Sequence, residues 1–76
     1  MSQKWINAMP KKIRELKAIL RSAGWIQIPG AGKGSHTKWA HARVPRRVIL
    51  SGNDGDDAKP RQQKDIENAV REAKEG

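Results

Sequence analysis

The side chains of this chain that could exchange a proton or hold a metal are two histidines and eight carboxylates, since cysteine and tyrosine are absent. Glu15 is the only acid before residue 51, and the other seven lie in an acidic loop or in the last segment of the chain. No His/Asp/Glu group has metal-ligand spacing. His36 and His41 are five residues apart, which on a strand places them on opposite faces, so they do not form a two-histidine metal site. Asp54, Asp56 and Asp57 have the spacing of part of a calcium loop, but the twelve-residue pattern and its closing glutamate are missing. They read as a solvated turn.

A glycine-rich stretch, Pro29-Gly30-Ala31-Gly32-Lys33-Gly34, precedes His36. It lacks the Lys-Ser/Thr ending of a nucleotide-binding phosphate loop and leads into a strand rather than a helix, which argues against nucleotide binding. Backbone N–H groups of such a loop can still contact a phosphate. His36 stands where this loop becomes a strand, beside Ser35 and flanked by Lys33 and Lys38. RNA cleavage needs a base for the ribose 2′-hydroxyl and cations for the charge that develops on phosphorus. An imidazole suits the first role and lysine or arginine the second, with no metal or cofactor required. A surface histidine that merely hydrogen-bonds or stacks has the same composition, and composition alone favours it.

Sixteen Lys/Arg oppose eight Asp/Glu, a net charge of +8. The charge is unevenly placed. Residues 1–50 hold eleven basic side chains and one acidic one, whereas residues 51–76 hold five basic and seven acidic. That asymmetry points to a polyanion, with nucleic acid first because neutralised phosphates release counterions. It does not separate RNA from DNA or anionic lipid. The absence of cysteine excludes disulfides and thiolate metal sites and suits a reducing cytoplasm. No apolar run is long enough for a signal peptide or a membrane span, so a soluble, cytoplasmic protein is expected.

The elements that must position these groups are legible in the periodicity. Seventy-six residues suffice for one domain with a thin core. Residues 1–9 form an N-terminal extension whose Trp5, Ile6 and Met9 are too apolar for a free tail, so partial docking on the body at residues 10–76 is expected. Pro10 marks the start of a helix. Ile13, Leu16, Leu20 and Ala23 follow helical spacing, with Lys and Arg opposite, and Gly24 is a natural stop, giving a helix over 11–23. Trp25-Ile26-Gln27-Ile28 reads as a strand. Residues 35–43 alternate, with His36, Lys38, Ala40 and Ala42 on one side and Thr37, Trp39, His41 and Arg43 on the other. Val44-Pro45-Arg46-Arg47 reads as a turn and Val48-Ile49-Leu50 as a third strand. A last helix begins near Pro60, burying Ile66, Ala69, Val70 and Ala73, with Glu67 and Arg71 spaced as an i,i+4 pair. Short connections imply antiparallel pairing. The expected fold is a two-layer α+β domain, helix–three antiparallel strands–helix, with both helices on one sheet face and the other open. Trp25 is expected in the core. Trp39 is either core or a platform for stacking bases.

Gly34-Ser35-His36-Thr37-Lys38-Trp39 resembles the Gly-Ser-His-x-x-aromatic signature of the HicA-like toxins. Ala23-Gly24-Trp25 is similar to the family's Ala-Gly-aromatic helix ending, and the run from Asp54 to Pro60 resembles a connection found in one branch. The resemblance covers roughly residues 11–74. It implies a fold like the double-stranded RNA-binding domain and an mRNA-cleaving toxin whose catalytic residue is His36. Gly34 would keep the loop open for the backbone, and Ser35 is a candidate helper. The implied partners are mRNA or other single-stranded RNA and a HicB-type antitoxin that covers the active face, with no membrane, small-molecule ligand, cofactor or metal. Three features depart from the family: a longer stretch between Gly24 and Gly34, a third strand ending Ile49-Leu50-Ser51-Gly52 where many relatives place a proline, a basic residue and another histidine, and the additional residues 1–9.

Two further readings stand beside the endoribonuclease: a non-catalytic RNA-binding module, and a ribosomal or structural protein whose basic half embeds in RNA. For the endoribonuclease, Lys33, Gly34, Lys38, Arg43, Arg46 and Arg47 are the expected RNA contacts.

Overall fold

The computed structural model describes residues 11–30 and 35–75. The expected docking of residues 1–9 and the helix start at Pro10 lie outside the described residues, as do Lys33 and Gly34. The order of elements is α1 (Ile13–Ser22), β1 (Ile26–Gln27), β2 (Thr37–His41), β3 (Val44–Leu50) and α2 (Pro60–Glu75). The strands form one antiparallel sheet in the order β1-β2-β3. Helices and sheet enclose a single core, giving the expected α+β layout of a double-stranded RNA-binding domain.

The core is built around two tryptophans. Trp25 and Trp39 are both buried, so both are structural and Trp39 is not available to stack on a base. Each satisfies its indole N–H, as buried indoles must. Trp25 donates to the Ala69 carbonyl of α2 at 3.3 Å, and Trp39 donates to Thr37 Oγ1 at 3.0 Å. Ile13, Leu16 and Leu20 of α1 and Ile66, Ala69 and Ala73 of α2 complete the core with Val44, Val48 and Leu50 of β3. The Arg21 guanidinium lies over the Trp39 ring, 5.3 Å from its centroid, adding a cation–π contact.

Four boundaries differ from the sequence expectation. α1 starts at Ile13 rather than Lys11, because Lys11 and Lys12 are spent on a bridge to the loop before α2. β1 keeps two of its four expected residues, although the Ile28 N–H still donates to the Lys38 carbonyl at 2.8 Å. β2 covers Thr37–His41, not 35–43. The expected turn at Val44–Arg47 is strand. The chain reverses at Ala42-Arg43 instead, and Val44–Leu50 runs as one seven-residue strand. The reason is a register irregularity. Thr37, Lys38 and Trp39 pair one-to-one with Leu50, Ile49 and Val48, and His41 pairs with Val44. Ala40 therefore opposes the three residues Pro45-Arg46-Arg47, which is where a proline without an N–H is tolerated in a sheet. No described non-glycine residue has positive φ, so the Ala42-Arg43 turn is not of the type that matches strand twist, and the irregularity beside it absorbs the mismatch.

His41 fastens this hairpin to the end of α1. Its Nδ1 accepts the Arg43 N–H at 3.0 Å, which requires that nitrogen to be unprotonated. The proton of the neutral ring is then on Nε2, which donates to the Ala23 carbonyl at 3.1 Å. The ring also meets Trp25 at a centroid distance of 5.4 Å. Gly24 leaves α1 with φ +94°, and a Cβ there would come within 2.9 Å of His41 Nε2, so both conformation and space demand glycine.

The acidic loop holds the other end of α1. The Ile13 and Arg14 N–H groups, which an isolated helix leaves without partners, donate to the Asp56 and Asp54 carbonyls at 2.9 and 3.2 Å. The Glu15 carboxylate accepts the Lys12 N–H at 2.9 Å. Lys17 pairs with Asp54 and Lys12 with Asp57, both at 2.6 Å. The residues that read as a solvated turn are exposed, and they also cap a helix. In α2, Arg71 contacts Asn68 at 2.6 Å rather than the expected Glu67.

Two predictions follow from these contacts. The hydrogen bond from Lys17 holds the Asp54 carboxyl below its ordinary value, and that from Arg46 does the same for Glu72. Both groups are more acidic folded than unfolded, so their stabilisation is complete above the usual carboxylate range near pH ~4 and is lost as pH falls through and below it. Melting temperature measured from pH 6 to pH 2 should drop, and Asp54→Asn should flatten the drop. A second test concerns the clamp. His41→Ala should cost about 1–3 kcal/mol in chemical denaturation through the two hydrogen bonds and the ring contact it removes, whereas Ile49→Ser on the open sheet face should change stability by no more than about 0.5 kcal/mol.

Candidate active site on the open sheet face

Trp39 is the buried residue of β2. Side chains alternate along a strand, so Thr37 and His41, which contact Trp39 and the end of α1, share its side, and Lys38 and Ala40 face the other. The inward set is fixed by a short relay: Trp39 donates to Thr37 Oγ1, and the Thr37 hydroxyl donates to the Leu50 carbonyl at 3.2 Å. His36 immediately precedes β2 and has the parity of Lys38 and Ala40. It is exposed, and its imidazole has no hydrogen-bond partner among the described residues. Ser35, beside it, is half-buried.

The open face carries apolar and basic side chains together. Lys38 stands opposite Ile49 of β3, and Ala40 opposite Ile26 of β1. Ile26 is 69 % exposed and Ile49 58 %, high values for isoleucine on a sheet. Ile26, Ile28, Ala40 and Arg47 line a shallow depression of about 350 Å³. Lys38 and Arg47 are thus brought onto one surface, with His36 at its border.

The other basic residues expected to contact RNA go elsewhere. Arg43 sits exposed on the hairpin turn, at the opposite end of β2 from His36. Arg46 has the inward parity of Val44 and Val48, and its guanidinium is held by the Glu72 carboxylate of α2 at 2.8 and 3.3 Å. This contact raises its pKa further. Arg46 therefore joins sheet to helix, while its neighbour Arg47 is exposed on the far side.

Sequence reasoning missed the two exposed isoleucines. In Val48-Ile49-Leu50 every residue is apolar, so the run does not say which one points outward. It also passed over the flank of α1, where Arg14, Lys17 and Arg21 recur at helical spacing. Lys17 and Arg21 are engaged by Asp54 and Trp39, and Arg14 is exposed.

Among the described residues no three His/Asp/Glu side chains converge as a metal site. The surface offers an exposed imidazole, two cations and apolar ground between them. Such a set can accept or deliver one proton and hold phosphates. No described helix is long and apolar enough to cross a membrane.

Comparison with known proteins agrees with this layout. No curated protein and no solved structure matches the chain. The family model described as the HicA toxin of bacterial toxin–antitoxin systems matches residues 13–74, from the first residue of α1 to the last turn of α2. Spanning the helices, the sheet and the exposed histidine at its border, that match means that the chain belongs to the HicA toxin family.

Proposed function

We propose that this protein is the toxin of a toxin–antitoxin pair and acts as a metal-independent endoribonuclease on mRNA or other single-stranded RNA, with His36 as its catalytic residue. The observation that carries the reading is the exposed His36, without a hydrogen-bond partner among the described residues, at the border of a sheet face bearing Lys38 and Arg47, in a chain of the HicA family.

The chemistry is a proton transfer coupled to displacement at phosphorus. His36 takes the proton of a ribose 2′-hydroxyl. O2′ bonds to the adjacent phosphorus as the bond from phosphorus to O5′ breaks. The products are a 2′,3′-cyclic phosphate and a 5′-hydroxyl, the latter protonated from His36 or solvent. Cations near the phosphate stabilise the charge that builds on its oxygens. Lys38 and Arg47 are on the same surface as His36 and take that role with Lys33 and the Gly34 backbone. Ser35 is a candidate helper. Arg43, at the far end of β2, holds flanking RNA. Arg46 is spent on Glu72, and its contribution is chiefly to stability.

The partner is an antitoxin of the HicB type seated on the open sheet face. Support comes from Ile26 and Ile49, which are exposed where a solvated sheet face ordinarily presents polar side chains. Both partners are cytoplasmic.

A long end-labelled single-stranded RNA incubated in EDTA tests the chemistry. Wild type should cut it and His36→Ala should not, with cleavage reduced by at least about 100-fold. Because His36 is exposed, the variant should keep its fold and its melting temperature. Equal cutting by both proteins would assign the activity to another group, and binding without cutting by either would leave an RNA-binding module. RNA affinity measured against salt tests the contacts. Lys38→Ala and Arg47→Ala should each lower the slope of log K on log salt by about 0.7, the single-strand value per phosphate, and Arg46→Ala by much less.

A further inference from the structure

On the side of the molecule away from the open sheet face, the two helices leave a seam. Ile19 and Ala23 of α1 and Val70 of α2 are only partly covered, although they pack on the core. The seam opens into two adjoining depressions of about 430 and 460 Å³ that share Ile19 and Val70. Ala73 and Lys74 line the first, Glu67 and Arg71 the second. The floor is apolar and the rim charged, as in grooves that take an apolar side chain.

The chain outside the described residues contains a matching set of groups. Its first ten residues include Trp5, Ile6 and Met9. The backbone shows where this stretch joins the body. Lys12 bridges Asp57 antiparallel, and the Ala58 N–H donates to the Lys11 carbonyl at 2.7 Å. Lys11 is therefore anchored beside Ala58, two residues before α2 begins at Pro60. Val70 lies ten residues further along that helix, about 15 Å at its rise per residue. Trp5 lies six residues before Lys11, about 20 Å of extended chain. The segment is long enough to reach the seam.

We propose that the N-terminal segment of this chain occupies the seam, with Trp5 and Ile6 seated over Ile19 and Val70. A tethered segment is present at millimolar effective concentration, so a modest apolar contact suffices where a separate copy would not stay bound. The burial matters in a domain of this size, whose core is small. The seam lies on the helix layer, so its occupant leaves Lys38, Arg47 and His36 uncovered, and the segment is a structural strap rather than an inhibitor.

The test is a thermal cycle on four proteins: the full chain and a chain lacking residues 1–9, each with and without Val70→Asp. Truncation should lower the melting temperature by about 5–10 °C in the parent, the shift expected for one to two kcal/mol in a domain of this length, and by less than about 2 °C when Val70→Asp is present. An equal drop in both backgrounds overturns the proposal. Should Val70→Asp fail to fold, fluorescence decides. The difference between the full chain and Trp5→Phe isolates Trp5, because the other two indoles are buried. Blue-shifted emission protected from acrylamide supports docking, and emission quenched as freely as in a short peptide overturns it. If protection grows with protein concentration, the seam binds a second copy and the proposal fails.

Discussion

Complete burial of the Trp39 indole governs the geometry of the open face. An indole can be sequestered only if its N–H finds an acceptor, and the acceptor here is two residues back on the same strand. Thr37 Oγ1 in turn is held by the Leu50 carbonyl of the neighbouring strand. This relay fixes both the register of β2 against β3 and the parity of β2. With side chains alternating strictly, committing Thr37, Trp39 and His41 to the core commits Lys38 and Ala40 to the opposite side and points the strand at His36 from its outer border. A slip of one residue would exchange the two sets, burying lysine and exposing tryptophan. The surface chemistry is thus determined by what the core cannot release.

The uneven charge of the sequence has a structural counterpart. The basic N-terminal half and the mildly acidic C-terminal part meet where the loop Asp54–Asp57 lies against α1, its carbonyls on the helix's free N–H groups and its carboxylates on Lys12 and Lys17. A third pair, Arg46 with Glu72, joins sheet to helix. These exposed pairs contribute little individually. Together they neutralise cations on the helix side and leave those of the open sheet face, Lys38 and Arg47, without carboxylate partners among the described residues. The polyanion-facing character inferred from composition belongs to a smaller set of residues than the net charge suggests.

Much of this fold was legible because its helices and middle strand obey simple periods. The 13-16-20 spacing of α1 and the alternation through Thr37, Trp39 and His41 each point to one solution, and Gly24 to one stop. What was hidden depended on distant partners. Pro45-Arg46-Arg47 has the composition of a turn, and only the three-against-one pairing with Ala40 makes it strand. The inward course of Arg46 depends on Glu72, twenty-six residues away. The capping role of the acidic loop depends on α1, some forty residues earlier. The candidate site stood out in the sequence as a motif around His36. Its apolar ground was not, since Ile26 and Ile49 are residue types normally assigned to a core.

The unequal pairing at the end of β2 has a consequence for how this hairpin tolerates changes of length. Between the pairs Trp39–Val48 and His41–Val44, β3 carries two residues more than β2. Two is an even number, so Val44 and Val48 still face the same layer and Arg46 and Arg47 are sorted to opposite sides. Losing both extra residues would preserve that sorting, whereas losing or gaining one would invert everything on the turn side of the change. The hairpin therefore behaves as a parity code: its length is free to vary in steps of two and closed to steps of one.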